Sequence, residues 1–143
     1  FNNRMTDIHA AMGRVQLGKL PAWTETRQEN AAFFDANLSG VVTPVVREEA
    51  THVYHQYTIR IEDASGAERD AFATALREEH KVGSGVYYPT PVHRLETFRT
   101  EVDLPVTEML AREVLSLPVH PSISELDRER IVAAVNTVAK AGA

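Results

Sequence analysis

The sequence predicts a small α/β (α+β) layer domain, with two helical segments first and then short strands interleaved with helices. Three observations carry that prediction. Met5, Ile8, Met12 and Val15 recur at helical spacing and lay an apolar stripe along the opening stretch. Between His52 and Glu62, Val53, His55, Tyr57, Ile59 and Ile61 alternate with Tyr54, Gln56, Thr58 and Arg60, which is the period of a strand. Ser65 and Ser124 each head a helical pattern, the second with Asp127 three residues on in the manner of a capping box.

Taken in order, the first helix is expected from Met5 to Leu20, with Asn2, Asn3 and Arg4 at its mouth and Asp7 in its first turn. An asparagine cap is the ordinary reading of such a mouth, although free N–H groups beside amide and guanidinium donors also attract an anion. Ala10, Ala11 and Gly13 keep part of the helix surface thin enough for close approach. Pro21 interrupts the pattern and suits the first turn of a second segment, which carries Trp23, Arg27, Ala31 and Phe34 to Leu38 before Ser39-Gly40 stops it. The two segments read as one long bent helix over residues 1–38, typical of an element that bridges to another domain.

Val41 to Val46 is β-branched but holds Pro44, so it reads as an edge strand. After the strand His52–Glu62 comes turn chemistry at Asp63 to Gly66, then a helix Ala67 to Glu79 with Phe72, Ala73 and Leu76 inward. Lys81 to Tyr87 reads as a strand, with Gly83 and Gly85 allowing close backbone approach. Pro89 and Pro91 then force an extended segment. A short helix is expected over Val92 to Arg99, and a better one over Thr107 to Val114 with Met109, Leu110 and Val114 inward. Leu115 to Leu117 is a brief strand closed by Pro118, and the last helix continues Ile131, Val135 and Val138 as its buried stripe.

Composition narrows the function classes. The chain has 143 residues, room for one domain with a proper core, and its 43% hydrophobic and 24% charged content is that of an ordinary globular protein. A net charge of -5 argues against nucleic acid or an anionic membrane as the main partner. With Cys at 0, disulfides, zinc-thiolate sites and cysteine nucleophiles are excluded, and a cytoplasmic location is expected. No run reaches the ~18 apolar residues of a membrane span. The chain opens without Met and almost on a helix, as a piece of something longer would.

Little in the residues alone closes into an active site. His52 and His55, three apart on a strand, point to opposite faces and cannot share one metal ion. His55 shares its face with Val53, Tyr57 and Ile59, and its plain reading is a hydrogen-bonded core histidine. There is no G-x-S-x-G, P-loop or G-x-G-x-x-G. Tyr87 and Tyr88 are more suggestive: they follow a glycine-bearing strand and precede a rigid proline turn, and each offers a flat apolar face with a hydroxyl, which suits a sugar or nucleotide. Strand-end tyrosines half-buried for packing alone are the alternative.

Four ordered stretches together resemble one family, the DegT/StrS-type aminotransferases, pyridoxal-phosphate enzymes that aminate keto sugars attached to nucleotides. The opening matches the family pattern at Asn2, Arg4, Met5, Asp7, Ile8, Ala10, Ala11, Gly13, Gln16, Leu17, Lys19 and Leu20. His52-Val53-Tyr54-His55-Gln56-Tyr57, Gly85-Val86-Tyr87-Tyr88-Pro89 with Pro91-Val92-His93, and Leu115-Ser116-Leu117-Pro118-Val119-His120-Pro121 resemble its three later motifs. The resemblance implies the small C-terminal domain of a fold-type I aminotransferase, its sheet mostly antiparallel with helices packed on it. It implies a homodimer whose sites are shared between subunits, with Asn2 reaching the cofactor phosphate of the neighbouring subunit. Arg4, Tyr87 and Tyr88 would contact the nucleotide-sugar, and His55 would stand at the edge of the site. Many members carry His where this chain has Tyr87.

The same resemblance implies that no catalytic residue lies in this chain. The family's reactive lysine, and the acidic residue that pairs with the pyridine nitrogen, belong to a large upstream domain; Lys19, Lys81 and Lys140 do not sit in the family's serine-preceded lysine motif, and the motif glycine before Phe1 is missing. The parent would take its amino group from glutamate, and the chain alone is expected to be inactive and to bind no pyridoxal phosphate. A freestanding binding module, or a deoxysugar dehydratase or cyclitol aminotransferase on the same scaffold, are the alternatives.

Overall fold

The computed structural model describes residues 4–142. Helix α1 (Asp7–Asn37) is a single helix of 31 residues that runs through Pro21 without a break. Proline removes one N–H donor, leaving the Leu17 carbonyl without its intrahelical partner, but the turns on either side carry the helix across. The expected restart at Pro21 is therefore absent. The N-cap is Thr6, whose hydroxyl accepts the His9 N–H at 3.3 Å, and Asp7 stands in the first turn as expected. Asn2 and Asn3 lie outside the described residues.

Only the last two turns of α1 enter the core, through Asn30, Ala31 and Phe34. Its C-terminus is finished by another helix, α4 (Glu125–Ala141): Asn136 Nδ2 donates to the Asn37 carbonyl at 2.9 Å, and Asn136 Oδ1 accepts the Ser39 N–H at 2.8 Å. Gly40 then turns the chain at φ +74°, where a Cβ would come within 2.8 Å of the Ala139 Cβ.

The sheet is shorter than the residue pattern suggests. Strands β1 (Tyr57–Arg60) and β2 (Val114–Leu117) pair antiparallel, Tyr57 opposite Leu117 and Arg60 opposite Val114. The edge strand expected at Val41–Val46 survives as one bridge, Val42 to Arg60, and the strand expected at Lys81–Tyr87 as another, Gly85 to Ser116. Pro44 has no N–H to extend the first, and Lys81 at φ +58° turns the backbone away from strand geometry in the second. Residues 52–56 are not strand either: Tyr54 sits at φ +43° and its N–H bonds back to His52 Nδ1 at 2.9 Å. That kink breaks the period-2 register, burying Tyr54 and leaving His55 exposed.

Helix α2 (Gly66–Glu78) and α4 both open on a capping box, Ser65 with Glu68 and Ser124 with Asp127. Phe72 and Leu76 are buried as expected, and so are Ile131 and Val135. Two short 3-10 turns, Val92–Arg94 and Glu96–Phe98, replace the helix expected there. Helix α3 (Pro105–Glu113) buries Ala111 and Glu113, while Leu110 stays 37% exposed and Val114 has already entered β2. Glu113 lies 3.1 Å from Arg60 Nε.

The core joins these elements around Tyr57, Ile59, Leu115, Leu76, Phe34 and Val135. Its largest fully buried side chain is polar: Arg69 is 2% exposed, and its Nη1 donates to the carbonyls of Ala111 at 3.0 Å and Val114 at 3.2 Å. Arg69 thus satisfies the end of α3 from the neighbouring helix, with Asp70 as its exposed counter-ion at 2.7 Å. Replacing Arg69 with Ala leaves those carbonyls unpaired and is expected to cost about 3 kcal/mol in urea unfolding, against less than about 1 for Asp70→Ala. Equal losses from the two would contradict this account.

The caps make a second prediction. Ser65 holds the Glu68 carboxyl below its usual range, chiefly by a backbone N–H bond, and the Ser124 hydroxyl does the same for Asp127. A depressed carboxyl contributes stability that is whole above its unfolded pKa, about 4, and is lost as pH falls through the folded value. Glu68→Gln combined with Asp127→Asn should therefore flatten the acid limb of the stability curve below about pH 5, read as urea midpoints against pH. An unchanged limb would rule out the caps as its source.

Candidate functional site

The sequence-predicted residues occupy three segments, and every one that the structure describes is exposed. Arg4 stands two residues before Thr6, the cap of α1. The Thr6 hydroxyl also lies 2.8 Å from His9 Nδ1, so one side chain serves both the backbone and the ring of His9. A cap of this kind satisfies one first-turn N–H and leaves others facing out. From this end the apolar stripe runs along bare helix: Met5, Ile8, Met12 and Val15 are 69%, 73%, 60% and 62% exposed.

His55 is not the core histidine that its alternation suggests. The kink at Tyr54 places it on the surface, and Tyr54 takes the interior position, stacked on Tyr57 at 6.1 Å and tilted against the His52 ring at 4.3 Å. Burial first, and then the negative charge of Asp35, raise the Tyr54 phenol above its ordinary pKa. Tyr57 is pushed higher by burial and by its own hydrogen bond to Asp35 at 2.6 Å. Both are packing tyrosines.

Tyr87 and Tyr88 part company. Successive residues of an extended chain face opposite ways. The Tyr87 ring folds back over Gly85, where a Cβ would meet its Cε2 at 2.8 Å and Cζ at 2.9 Å, and it lines a shallow cleft of about 290 Å³ with Ser84, Ser116 and Pro118. Tyr88, 74% exposed, borders a cavity of about 390 Å³ walled by Pro91, Val92, Thr107, Leu110, Ala111 and Val114. The cavity is apolar apart from two hydroxyls, those of Tyr88 and Thr107. It can take the face of a ring or a methyl group and offer a hydroxyl at its rim.

Sequence reasoning missed the group that shapes this cavity. His93 is buried, and its Nε2 lies 3.0 Å from Glu108 Oε1. The Arg94 guanidinium donates to the same oxygen through Nε at 3.1 Å and Nη2 at 2.7 Å. The His93 hydrogen bond, with those from Arg94 next, holds the Glu108 carboxyl below the usual carboxylate range. A motif histidine in the sequence marked one end of the cluster; nothing local marked Glu108, fifteen residues on.

The lysines have other employment. Lys19 lies 5.8 Å from the Trp23 ring on α1, and Lys140 ends α4. Lys81 lines a cavity of about 170 Å³ with His120, Asp127 and Arg130, but its Nζ donates to the Glu78 carbonyl at 2.8 Å. Arg130 likewise clamps the His80 carbonyl, so this basic cluster fastens the end of α2 to α4. Among the described residues no group of His, Asp or Glu is placed to hold a metal ion, and no helix is long and apolar enough to cross a membrane.

Comparison with known proteins bears on the family and the fold. The model of the DegT/DnrJ/EryC1/StrS aminotransferase family matches residues 1–136. A pleiotropic regulatory protein of Geobacillus stearothermophilus is 35% identical over 92% of this chain and 36% of its own length. The dTDP-3-amino-3,6-dideoxy-alpha-D-galactopyranose transaminase of Aneurinibacillus thermoaerophilus is 30% identical, over 94% of this chain and 37% of its own. The PLP form of the putative sugar aminotransferase Spr1654 of Streptococcus pneumoniae superposes with a TM-score of 0.86 at 26% identity, covering 98% of this chain and 37% of that one. The chain thus spans little more than a third of each of these relatives. Motifs, fold and relatives converge on one assignment: the chain belongs to the DegT/DnrJ/EryC1/StrS aminotransferase family.

Proposed function

We propose that this chain is the C-terminal domain of a pyridoxal-phosphate aminotransferase that moves an amino group from glutamate to a keto nucleotide-sugar, and that it supplies one half of a site shared across a homodimer. The observation that carries this reading is the exposure of every described candidate residue together with the apolar stripe of α1. A finished site would bury such groups against a partner surface.

The residues present suit part of the cofactor. An anion suits the helix N-terminus of α1, and Asn2 would reach the cofactor phosphate of the neighbouring subunit from that end. The cofactor's aldehyde has no amine partner here, since Lys19 lies against Trp23, Lys81 donates to the Glu78 carbonyl and Lys140 sits in the last turn of α4. Pyridoxal phosphate, when bound, supplies an electron sink at the carbon that loses or gains its proton. This chain's part is to bind and orient: Asn2 toward the cofactor phosphate, Arg4, Tyr87 and Tyr88 toward the nucleotide-sugar, and His55 at the edge of the site. Residues 1–38 would bridge to the large domain, whose lysine moves the proton.

The pure 143-residue chain, given pyridoxal phosphate, glutamate and a keto nucleotide-sugar, is expected to form no amino sugar and to keep no cofactor absorbance after dialysis. Turnover by the chain alone would overturn the reading. The stripe gives a separate check. Met12→Glu should leave the melting temperature of the chain unchanged, because Met12 is 60% exposed, and should impair assembly of the full-length protein in size-exclusion chromatography. A full-length variant that assembles normally would take the stripe out of the subunit interface.

A further inference from the structure

The reading of Tyr88 as a substrate contact leads to a further residue. The cavity beside Tyr88 has two walls. Pro91 and Val92 belong to the strap that follows the proline turn; Thr107, Leu110 and Ala111 belong to α3. Three hydrogen bonds to one carboxylate oxygen, Glu108 Oε1, tie the strap to the helix: His93 Nε2 at 3.0 Å, Arg94 Nε at 3.1 Å and Arg94 Nη2 at 2.7 Å. His93 adjoins Val92 in one wall, and Glu108 adjoins Thr107 in the other. The strap also closes on itself, the Thr100 N–H donating to the His93 carbonyl at 3.1 Å.

What the clamp orders is not core. Val92 is 58% exposed, Leu110 37% and Tyr88 74%, and of the cavity's lining residues only Ala111 is buried. Fixing exposed apolar side chains costs conformational entropy and returns little burial. A charged, threefold-bonded tie at such a place has its use when another molecule contacts the surface it holds. We propose that Glu108 is a positioning residue of the nucleotide-sugar site: through His93 and Arg94 it sets the separation of the two walls, and so the place at which Tyr88 presents its ring and hydroxyl. Glu108 itself touches no substrate.

The test is steady-state kinetics of the full-length enzyme carrying Glu108→Ala, Glu108→Gln or Tyr88→Ala, with melting curves to confirm that each variant folds. Glu108→Ala is expected to raise KM for the keto nucleotide-sugar about tenfold, with a much smaller fall in kcat. Glu108→Gln, which keeps an acceptor oxygen for the strap, should recover part of that loss. If Tyr88→Ala raises KM and folded Glu108→Ala does not, the clamp is only a fold contact and the proposal is wrong. If Glu108→Ala does not fold, Arg94→Ala, which removes two of the three bonds to Glu108, takes its place, and a wild-type KM in that variant decides the same way. If Tyr88→Ala leaves KM unchanged, the substrate reading of Tyr88 has failed and the role of Glu108 fails with it.

Discussion

The structure depends on how α1 is anchored. A 31-residue helix is about 45 Å long, and only its last two turns are buried. Arg4 and the helix mouth therefore lie at the end of a lever roughly 40 Å from Phe34, where a tilt of about 5° at the anchor moves the mouth by about 3.5 Å. That is the difference between a hydrogen bond and none. The anchor is accordingly many-sided. Phe34 meets the Tyr57 ring edge-on at 5.1 Å, the Tyr57 hydroxyl donates to Asp35, and Asn30 Nδ2 reaches the His120 carbonyl at 3.3 Å. Asn136 grips the C-terminus from both sides, and the Arg128 guanidinium lies 5.1 Å from the Phe33 ring. These contacts differ in direction, so together they resist tilt as well as translation.

The same core fixes the second region. Tyr57 opposes Leu117 in the sheet, and Ser116, next in β2, bridges to Gly85. Gly85 is two residues from Tyr87 and three from Tyr88, so the tyrosines hang from the same two-stranded ladder that holds α1. The helix mouth and the tyrosine segment thus share one rigid reference. A domain that must present two groups to one ligand on a partner surface needs such a common frame.

Elements governed by local chemistry were legible in the sequence; those governed by pairing were not. Ser65 with Glu68 and Ser124 with Asp127 lie within one turn of each other, and the helices they start were placed within a residue or two. The long helix was also foreseen, but its continuity through Pro21 was not, because propensity argues locally and the turns on either side outweigh one lost bond. Strands fared worse. Alternation from Val53 to Ile61 is real in the sequence, yet Tyr54 at φ +43° shifts the register, so the interior position falls to Tyr54 and His55 goes outside. No period-2 reading contains that kink. Arg69 was invisible for a related reason: its partners, the carbonyls of Ala111 and Val114, lie more than forty residues away. At the candidate site, motif resemblance named Arg4, His55, Tyr87 and Tyr88, but exposure, the divergence of the tyrosines and the tie at Glu108 are properties of packing and could be found only in three dimensions.

That exposure also bears on what kind of piece this is. The core is closed, and buried Asn30, Arg69 and Ser116 find their hydrogen-bond partners within it, so the fold does not depend on contacts along the first half of α1. Yet the most apolar stripe of that helix lies wholly outside the core. A chain selected only for its own stability gains nothing from four large apolar side chains in water, and their exposure raises the risk of aggregation. Under the proposed function the stripe and the polar mouth at its head act together: one would adhere to a surface and the other would then face an anion across it. In that view the last two turns of the long helix belong to the core, and the turns before them are the means by which the domain would be held to the rest of a site.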